Sequence, residues 1–331
     1  MRPVGGGTAA PGGGPAAVPR RLDPLAVRRA LRVAGLRARH SLSQNFLADV
    51  EVLEAILAEA APAAGRRVLE IGPGLGILTG GLLLAGAAVT AVELDRGLGS
   101  RLRIEFADAI ARADAEAGAP GGLRLVEGDI LDLDLGDLVR PPFDVVANLP
   151  YHITSPILHR LLGAAPRPDR AVLMVQREVA ARIVAPAGSM SYLSAFVQYH
   201  AAARLAFVVP PAAFEPEPAV DSAVVVLEPY ARDRPDRLSP DDEDGLWRLV
   251  QAAFRERRKM IRNVLVRQLP VDPTVVSRAL EAAGIAPDRR PQTLSVEEWL
   301  GLRAALGPLP EDRRGRRDEG ARRPATAATD D

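Results

Sequence analysis

No cysteine occurs among the 331 residues, which excludes disulfides, thiolate catalysis and cysteine-held metal. Histidine is scarce: His40, His152, His159 and His200 are scattered without metal-ligand spacing, so no metal site is expected. Lysine is almost missing. Of 42 basic residues 41 are Arg, and Lys259 stands alone, a skew that goes with the Ala-, Gly- and Pro-rich composition of GC-rich coding. No run of about 18 apolar residues is present, so no membrane span is expected. The first residues form neither an apolar leader nor an Arg-rich amphipathic helix, which points to the cytoplasm. The formal net charge is zero, so any nucleic-acid partner must be read from the distribution of charge rather than its sum.

What is there is ordinary globular material: 47% hydrophobic and 25% charged residues in a length that suits about two domains. Residues 1–20 are Gly-, Pro- and Ala-rich and residues 308–331 are polar and Arg-rich; both are expected to be disordered tails. Between them short apolar runs alternate with helical spacing. Val68–Ile71, Ala88–Val92, Leu123–Val126, Phe143–Ala147 and Ala171–Val175 read as strands. Helices are expected over 76–84 and 96–112 and from Pro156 to Leu162. This predicts an α/β fold, a doubly wound, Rossmann-like parallel sheet. Ala206–Val209 and Ser222–Leu227 have no long helix between them and should pair as an antiparallel edge. From about residue 238 four helical patterns follow, Leu246–Phe254, Met260–Leu265, Val275–Leu280 and Val296–Leu300. The expected domains are therefore 21–232, a sheet domain, and 238–307, a small all-helical domain, with Arg232–Pro240 as linker.

Glu70-Ile-Gly72-Pro-Gly74-Leu-Gly76 falls where the first strand meets its helix, and glycines there let backbone N–H groups approach a ligand. The spacing differs from the dinucleotide fingerprint, whose third glycine would fall on Ile77. Glu93, 21 positions after Gly72, ends the second strand, where a carboxylate suits two ribose hydroxyls of a dinucleotide or of S-adenosylmethionine alike. Asp129 ends the third strand and could accept from an adenine amino group, or simply close a Gly-Asp turn. Asn45 and Leu47 precede an N-capped helix beginning near Asp49.

The fourth strand ends in Asn148-Leu149-Pro150-Tyr151. An amide oxygen and a neighbouring carbonyl there can accept both N–H bonds of an exocyclic amine, and the Tyr ring can stack on the base that carries it. Adenine N6 is a poor nucleophile, so an enzyme that alkylates it must hold the base out of its stack.

Taken in order, these segments resemble the ribosomal RNA adenine N6-dimethyltransferases, in particular the branch acting on small-subunit rRNA and linked to kasugamycin sensitivity. The marks are Gln44-Asn-Phe-Leu47, Leu69–Gly76, Val92-Glu-Leu-Asp95, Gly128-Asp129, Asn148–Tyr151, Gln176-Arg-Glu-Val179, Phe214–Val224 and Ala253–Asn263. Ser43 and Ala147 stand where that family usually has glycine, and His152 where it has Asn or Tyr. The resemblance implies that Asn45, Leu47, Gly72, Gly74, Glu93, Asp129 and Asn148 line an S-adenosylmethionine pocket. It implies that Asn148 and the Leu149 carbonyl grip adenine N6 and that Tyr151 and Phe214 sandwich the flipped base. The implied reaction is N6,N6-dimethylation of two adjacent adenosines in a 3'-terminal hairpin loop of small-subunit rRNA, within an immature particle. The protein is expected to act as a monomer.

Arg255, Arg257, Arg258, Lys259 and Arg262 place five cations in eight residues, and on a helix Arg255, Arg258 and Arg262 would share one face. A solvated charged face is the bland reading; with the resemblance, rRNA docking is expected. The rivals are a large-subunit rRNA methyltransferase of the macrolide-resistance type, an assembly factor acting mainly by binding, and a dinucleotide-dependent oxidoreductase.

Overall fold

The computed structural model describes residues 45–231 and 238–309. The stretches expected to be tails, up to residue 20 and beyond 309, lie outside the described residues, as do Ser43, Gln44 and the part of the linker over 232–237. Contacts divide the chain into two units, one running to Ala181 and resuming over Ala201–Pro229, the other made of Arg182–His200 and the chain from Tyr230 onward.

The first unit is built on seven strands: β2 (Arg67–Ile71), β3 (Ala88–Glu93), β4 (Leu123–Glu127), β5 (Asp144–Asn148), β6 (Arg170–Gln176), β7 (Ala201–Val209) and β9 (Ser222–Pro229). Their order is β4-β3-β2-β5-β6-β9-β7. The first five run parallel, β9 lies antiparallel to β6, and β7 antiparallel to β9. The central strands read as unbroken Val, Leu and Ile because helices cover both faces, and Val68, Leu69, Val145, Leu173 and Val175 are fully buried. The strand order reverses between β2 and β5, and a doubly wound sheet opens a crevice there, outside the carboxyl ends of its strands. The expected antiparallel edge is observed.

Helix α1 (Val50–Ala60) starts where expected, with the Asp49 carboxylate accepting the Glu51 and Val52 N–H groups at 2.8 and 3.1 Å. It follows β1 (Phe46–Leu47), which pairs with β8 (Phe214–Glu215) in a separate two-stranded ribbon. Helix α2 (Ile77–Leu84) leaves the glycine turn. The single helix expected over 96–112 is instead two, α3 (Arg96–Glu105) and α4 (Ala107–Ala115), broken at Phe106. The break sets the Phe106 ring against Gly76, where an added Cβ would lie 2.5 Å from it. The short α5 (Leu135–Leu138), then α6 (Thr154–Gly163) and α7 (Arg177–Ile183), complete the crossovers.

In the second unit, α8 (Tyr192–His200), α9 (Pro240–Phe254), α10 (Ile261–Gln268), α11 (Pro273–Ala282) and α12 (Val296–Leu306) enclose a core around Leu249, Ile261, Leu280 and Trp299. The expected boundaries left Arg182–His200 with the sheet. Its contacts lie with the helices, since Ala195 and Tyr199 belong to that same core. Pro240, read as linker, is the first residue of α9: Ser239 caps it, its hydroxyl accepting from the Asp242 N–H at 3.2 Å. Among the described residues no helix is long and apolar enough to cross a membrane.

Candidate active site

A cavity opens at the switch point of the sheet. Its walls are the glycine turn after β2, the ends of β3 and β5, the Gly128–Ile130 turn after β4, and Asn45–Leu47. All seven residues expected to hold a cofactor line it: Asn45, Leu47, Gly72, Gly74, Glu93, Asp129 and Asn148. Leu149, Pro150 and Tyr151 line it too.

The glycine turn is held open by conformation and by packing. Gly74 and Gly76 have φ of 59° and 82°, left-handed values that side chains with a Cβ avoid. The Phe46 ring lies on Gly74, where a Cβ would approach it to 3.1 Å. The Gly74 N–H donates to Glu93 Oε2 at 3.0 Å and the Asp95 N–H to Oε1 at 2.8 Å, so one carboxylate ties the turn to the end of β3. The Glu93 carboxylate retains acceptor capacity toward the cavity for a ligand hydroxyl. Burial raises the Glu93 carboxyl above its ordinary value while the Asp95 and Gly74 N–H groups pull the other way. Asp129 accepts the Leu131 N–H at 2.9 Å, which fixes one of its oxygens and leaves the other for a ligand.

Asn148 ends β5, and its Nδ2 donates to the Asn45 carbonyl at 3.2 Å. A carbonyl accepts only from the amide nitrogen, so the amide has one orientation, with Oδ1 free as acceptor at the cavity. Pro150 then turns the chain into a short 3₁₀ turn, Tyr151–Ile153. The half-buried Tyr151 ring lines the cavity, and its hydroxyl is 2.8 Å from Ser222 Oγ.

Two residues with a part in the cavity escaped sequence reasoning. Phe46, between the expected Asn45 and Leu47, packs on the glycine turn. Glu70 is 1% exposed in the middle of β2 and lines the cavity. Burial pushes its carboxyl up to about 8, the neighbouring Glu93 adds to the rise, and the Thr79 hydroxyl donating at 2.7 Å offsets part of it. The signal was present: an acidic residue inside Val68-Leu-Glu-Ile71 has no reason to be buried except a partner or a ligand.

Phe214 stands apart from the cavity lining. It is 1% exposed, packs in the main core of its unit and is absent from the cavity wall. Its strand β8 pairs with β1, Phe214 opposite Leu47, and this ribbon turns the ring inward.

The basic segment also differs from expectation. Helix α9 ends at Phe254 and α10 begins at Ile261, so Arg255–Met260 form a turn rather than a continuous helical face. Within its unit Arg255 donates to Gln268 Oε1 at 3.2 Å and Arg262 to Ser277 Oγ at 2.9 Å. Arg257, Arg258 and Lys259 are exposed, and among the described residues their side chains make no hydrogen bond or ion pair, while the Lys259 N–H donates to the Glu256 carbonyl at 2.8 Å.

A seven-stranded, doubly wound sheet with a glycine turn and acidic strand ends at its switch point makes the first unit a Rossmann-like methyltransferase. The structure is similar to that of the 23S rRNA methyltransferase ErmE, with 28% identity and a TM-score of 0.61 over 79% of this chain and 99% of that one. It is similar to a dimethyladenosine transferase from Plasmodium falciparum, with 25% identity and the same TM-score over 78% and 95%. The family model described as "Ribosomal RNA adenine dimethylase" matches residues 35–304, and the chain belongs to that family. Among its relatives is the ribosomal RNA small subunit methyltransferase A of Anaeromyxobacter sp. (strain K), 42% identical over 285 residues, 82% of this chain and 94% of the relative. The protein of that name from Thermosynechococcus vestitus is 42% identical over 284 residues, 84% of this chain and its whole length.

Proposed function

We propose that this enzyme transfers methyl groups from S-adenosylmethionine to N6 of two adjacent adenosines in a 3'-terminal hairpin loop of small-subunit rRNA, giving N6,N6-dimethyladenosine. It acts in the cytoplasm, as a monomer, on an immature small subunit. The observation that carries the reading is the cavity wall, where the fixed Asn148 amide and the Tyr151 ring stand beside three carboxyl groups, Glu70, Glu93 and Asp129. Among the described residues of that wall there is no lysine or arginine. Such a lining suits a ligand carrying cationic centres, an adenine and ribose hydroxyls. The dinucleotide rival loses on glycine spacing.

The fit sets the roles. Glu93 would hold the ribose hydroxyls, Asp129 the cofactor's adenine amine, and the exposed Gly72–Gly74 backbone its chain. S-adenosylmethionine, when bound, supplies a methyl group on a sulfonium that leaves as a neutral thioether. Asn148 Oδ1 and the Leu149 carbonyl accept the two N6–H bonds and turn the nitrogen lone pair out of the ring toward the methyl. Tyr151 stacks on the base and excludes water from one face. Charge is dispersed rather than created, so positioning contributes most of the acceleration; N6 releases one proton to water with each methyl transfer, and no general base is assigned. Arg257, Arg258 and Lys259, whose side chains have no hydrogen-bond or ion-pair partner among the described residues, are suited to rRNA phosphates.

The test is methyl transfer from labelled S-adenosylmethionine to small-subunit particles lacking adenine methylation, with protein-free large-subunit rRNA alongside. Label confined to the particles supports the proposal. Label in the large-subunit RNA would place the enzyme with the large-subunit rRNA methyltransferases, and tight particle binding without transfer would make it an assembly factor.

A further inference from the structure

The Tyr151 ring sits on a three-residue turn, Tyr151–Ile153, and has to present a flat face to a base. Among the described residues its one side-chain hydrogen bond is the 2.8 Å contact between its hydroxyl and Ser222 Oγ. Ser222 is fully buried and opens β9, opposite Gln176 of β6 on one side and Val209 of β7 on the other. It is therefore held by ladders on both flanks. A residue 71 positions away in sequence thus fixes the far end of the ring, while Pro150, with φ of −56°, fixes the near end. The tether fixes where the hydroxyl end of the ring lies, and with it χ1.

We propose that Ser222 is a positioning residue for the target base: it tethers the Tyr151 hydroxyl and so pre-orients the ring on which the flipped adenine stacks. The inference rests on the reading that Tyr151 stacks on that base. Ser222 touches neither substrate nor cofactor and acts through Tyr151 alone. Rotational freedom removed before binding is freedom the complex need not remove later, so the tether raises kcat/KM for RNA and leaves S-adenosylmethionine binding alone.

A double-mutant cycle of Tyr151→Phe and Ser222→Ala, with Tyr151→Ala as reference, tests this. Each single variant is expected to lose about three- to tenfold in kcat/KM for RNA, the range of one neutral hydrogen bond. The cofactor dissociation constant should stay within twofold of wild type, and the double variant should be no worse than either single one. Tyr151→Ala should lose far more. Additive losses would mean that Ser222 acts independently of Tyr151 and would overturn the tether, as would undiminished kcat/KM in both single variants. If Tyr151→Ala itself keeps wild-type kcat/KM, the stacking reading falls and the tether with it. Should Ser222→Ala fail to fold, Tyr151→Phe decides, because it keeps both ring and strand: unchanged kcat/KM there overturns the proposal.

Discussion

Replacing Asn148 with alanine removes two interactions of different kinds. Nδ2 no longer donates to the Asn45 carbonyl across 3.2 Å, and Oδ1 no longer offers its acceptor to adenine N6. The first loss acts on the fold: one neutral hydrogen bond at a half-buried site contributes about 0.5–1.5 kcal/mol. The second acts on the reaction. A preorganised polar group aimed at the reacting atom contributes about 2–4 kcal/mol to the transition state. At 1.36 kcal/mol per factor of ten this is about a 30- to 900-fold fall in the rate of methyl transfer. The assay is single-turnover transfer with RNA and S-adenosylmethionine both saturating, so that binding defects drop out, with thermal unfolding and cofactor affinity measured on the same preparation. A large rate loss with a small stability loss and a cofactor affinity changed by less than tenfold is the expected result. Near-wild-type turnover, or a loss that vanishes once the cofactor saturates, refutes the assignment of Asn148 to the target amine.

Three further outcomes follow from the geometry. Glu70 has a folded pKa raised by burial from 4.5 to about 8, so its contribution to stability is full below pH 4.5 and is lost as pH rises through about 8; Glu70→Gln should flatten the decline of the wild-type unfolding temperature across that window, and parallel curves would refute this. Gly76→Ala forces a left-handed residue with φ of 82° to carry a Cβ 2.5 Å from the Phe106 ring, and should destabilise by about 2–4 kcal/mol in denaturant unfolding. Neutralising Arg258 and Lys259 together should weaken RNA binding and lower the salt slope of its affinity by about 1.4–1.8 while cofactor affinity stays unchanged; loss of cofactor binding would make the segment structural.

The parallel strands were legible because each is a short apolar run bounded by turn residues, and the cavity because its residues fall at the carboxyl ends of those strands. What escaped had physical reasons. Helix α8 shows no helical period because Leu193, Ala195, Phe196, Val197, Tyr199 and His200 are buried around most of its circumference. The break at Phe106 serves a long-range contact with Gly76 that local propensity does not contain. Phe214 lies in a motif with plausible chemistry, but the ribbon pairing that turns its ring into the core joins residues 167 apart. The Arg255–Arg262 charges were visible, yet their helical face was not real, since the chain turns between α9 and α10.

The central claim is dimethylation at adenine N6, and identification of the product tests it most directly. RNA modified by the enzyme with isotopically labelled S-adenosylmethionine would be digested to nucleosides and resolved by mass spectrometry. The account predicts N6,N6-dimethyladenosine carrying two labelled methyl groups on one nitrogen. Label on cytosine, on a ribose or at another adenine position would contradict it, because neither the Asn148 acceptor nor the Tyr151 ring would then be reading the group proposed.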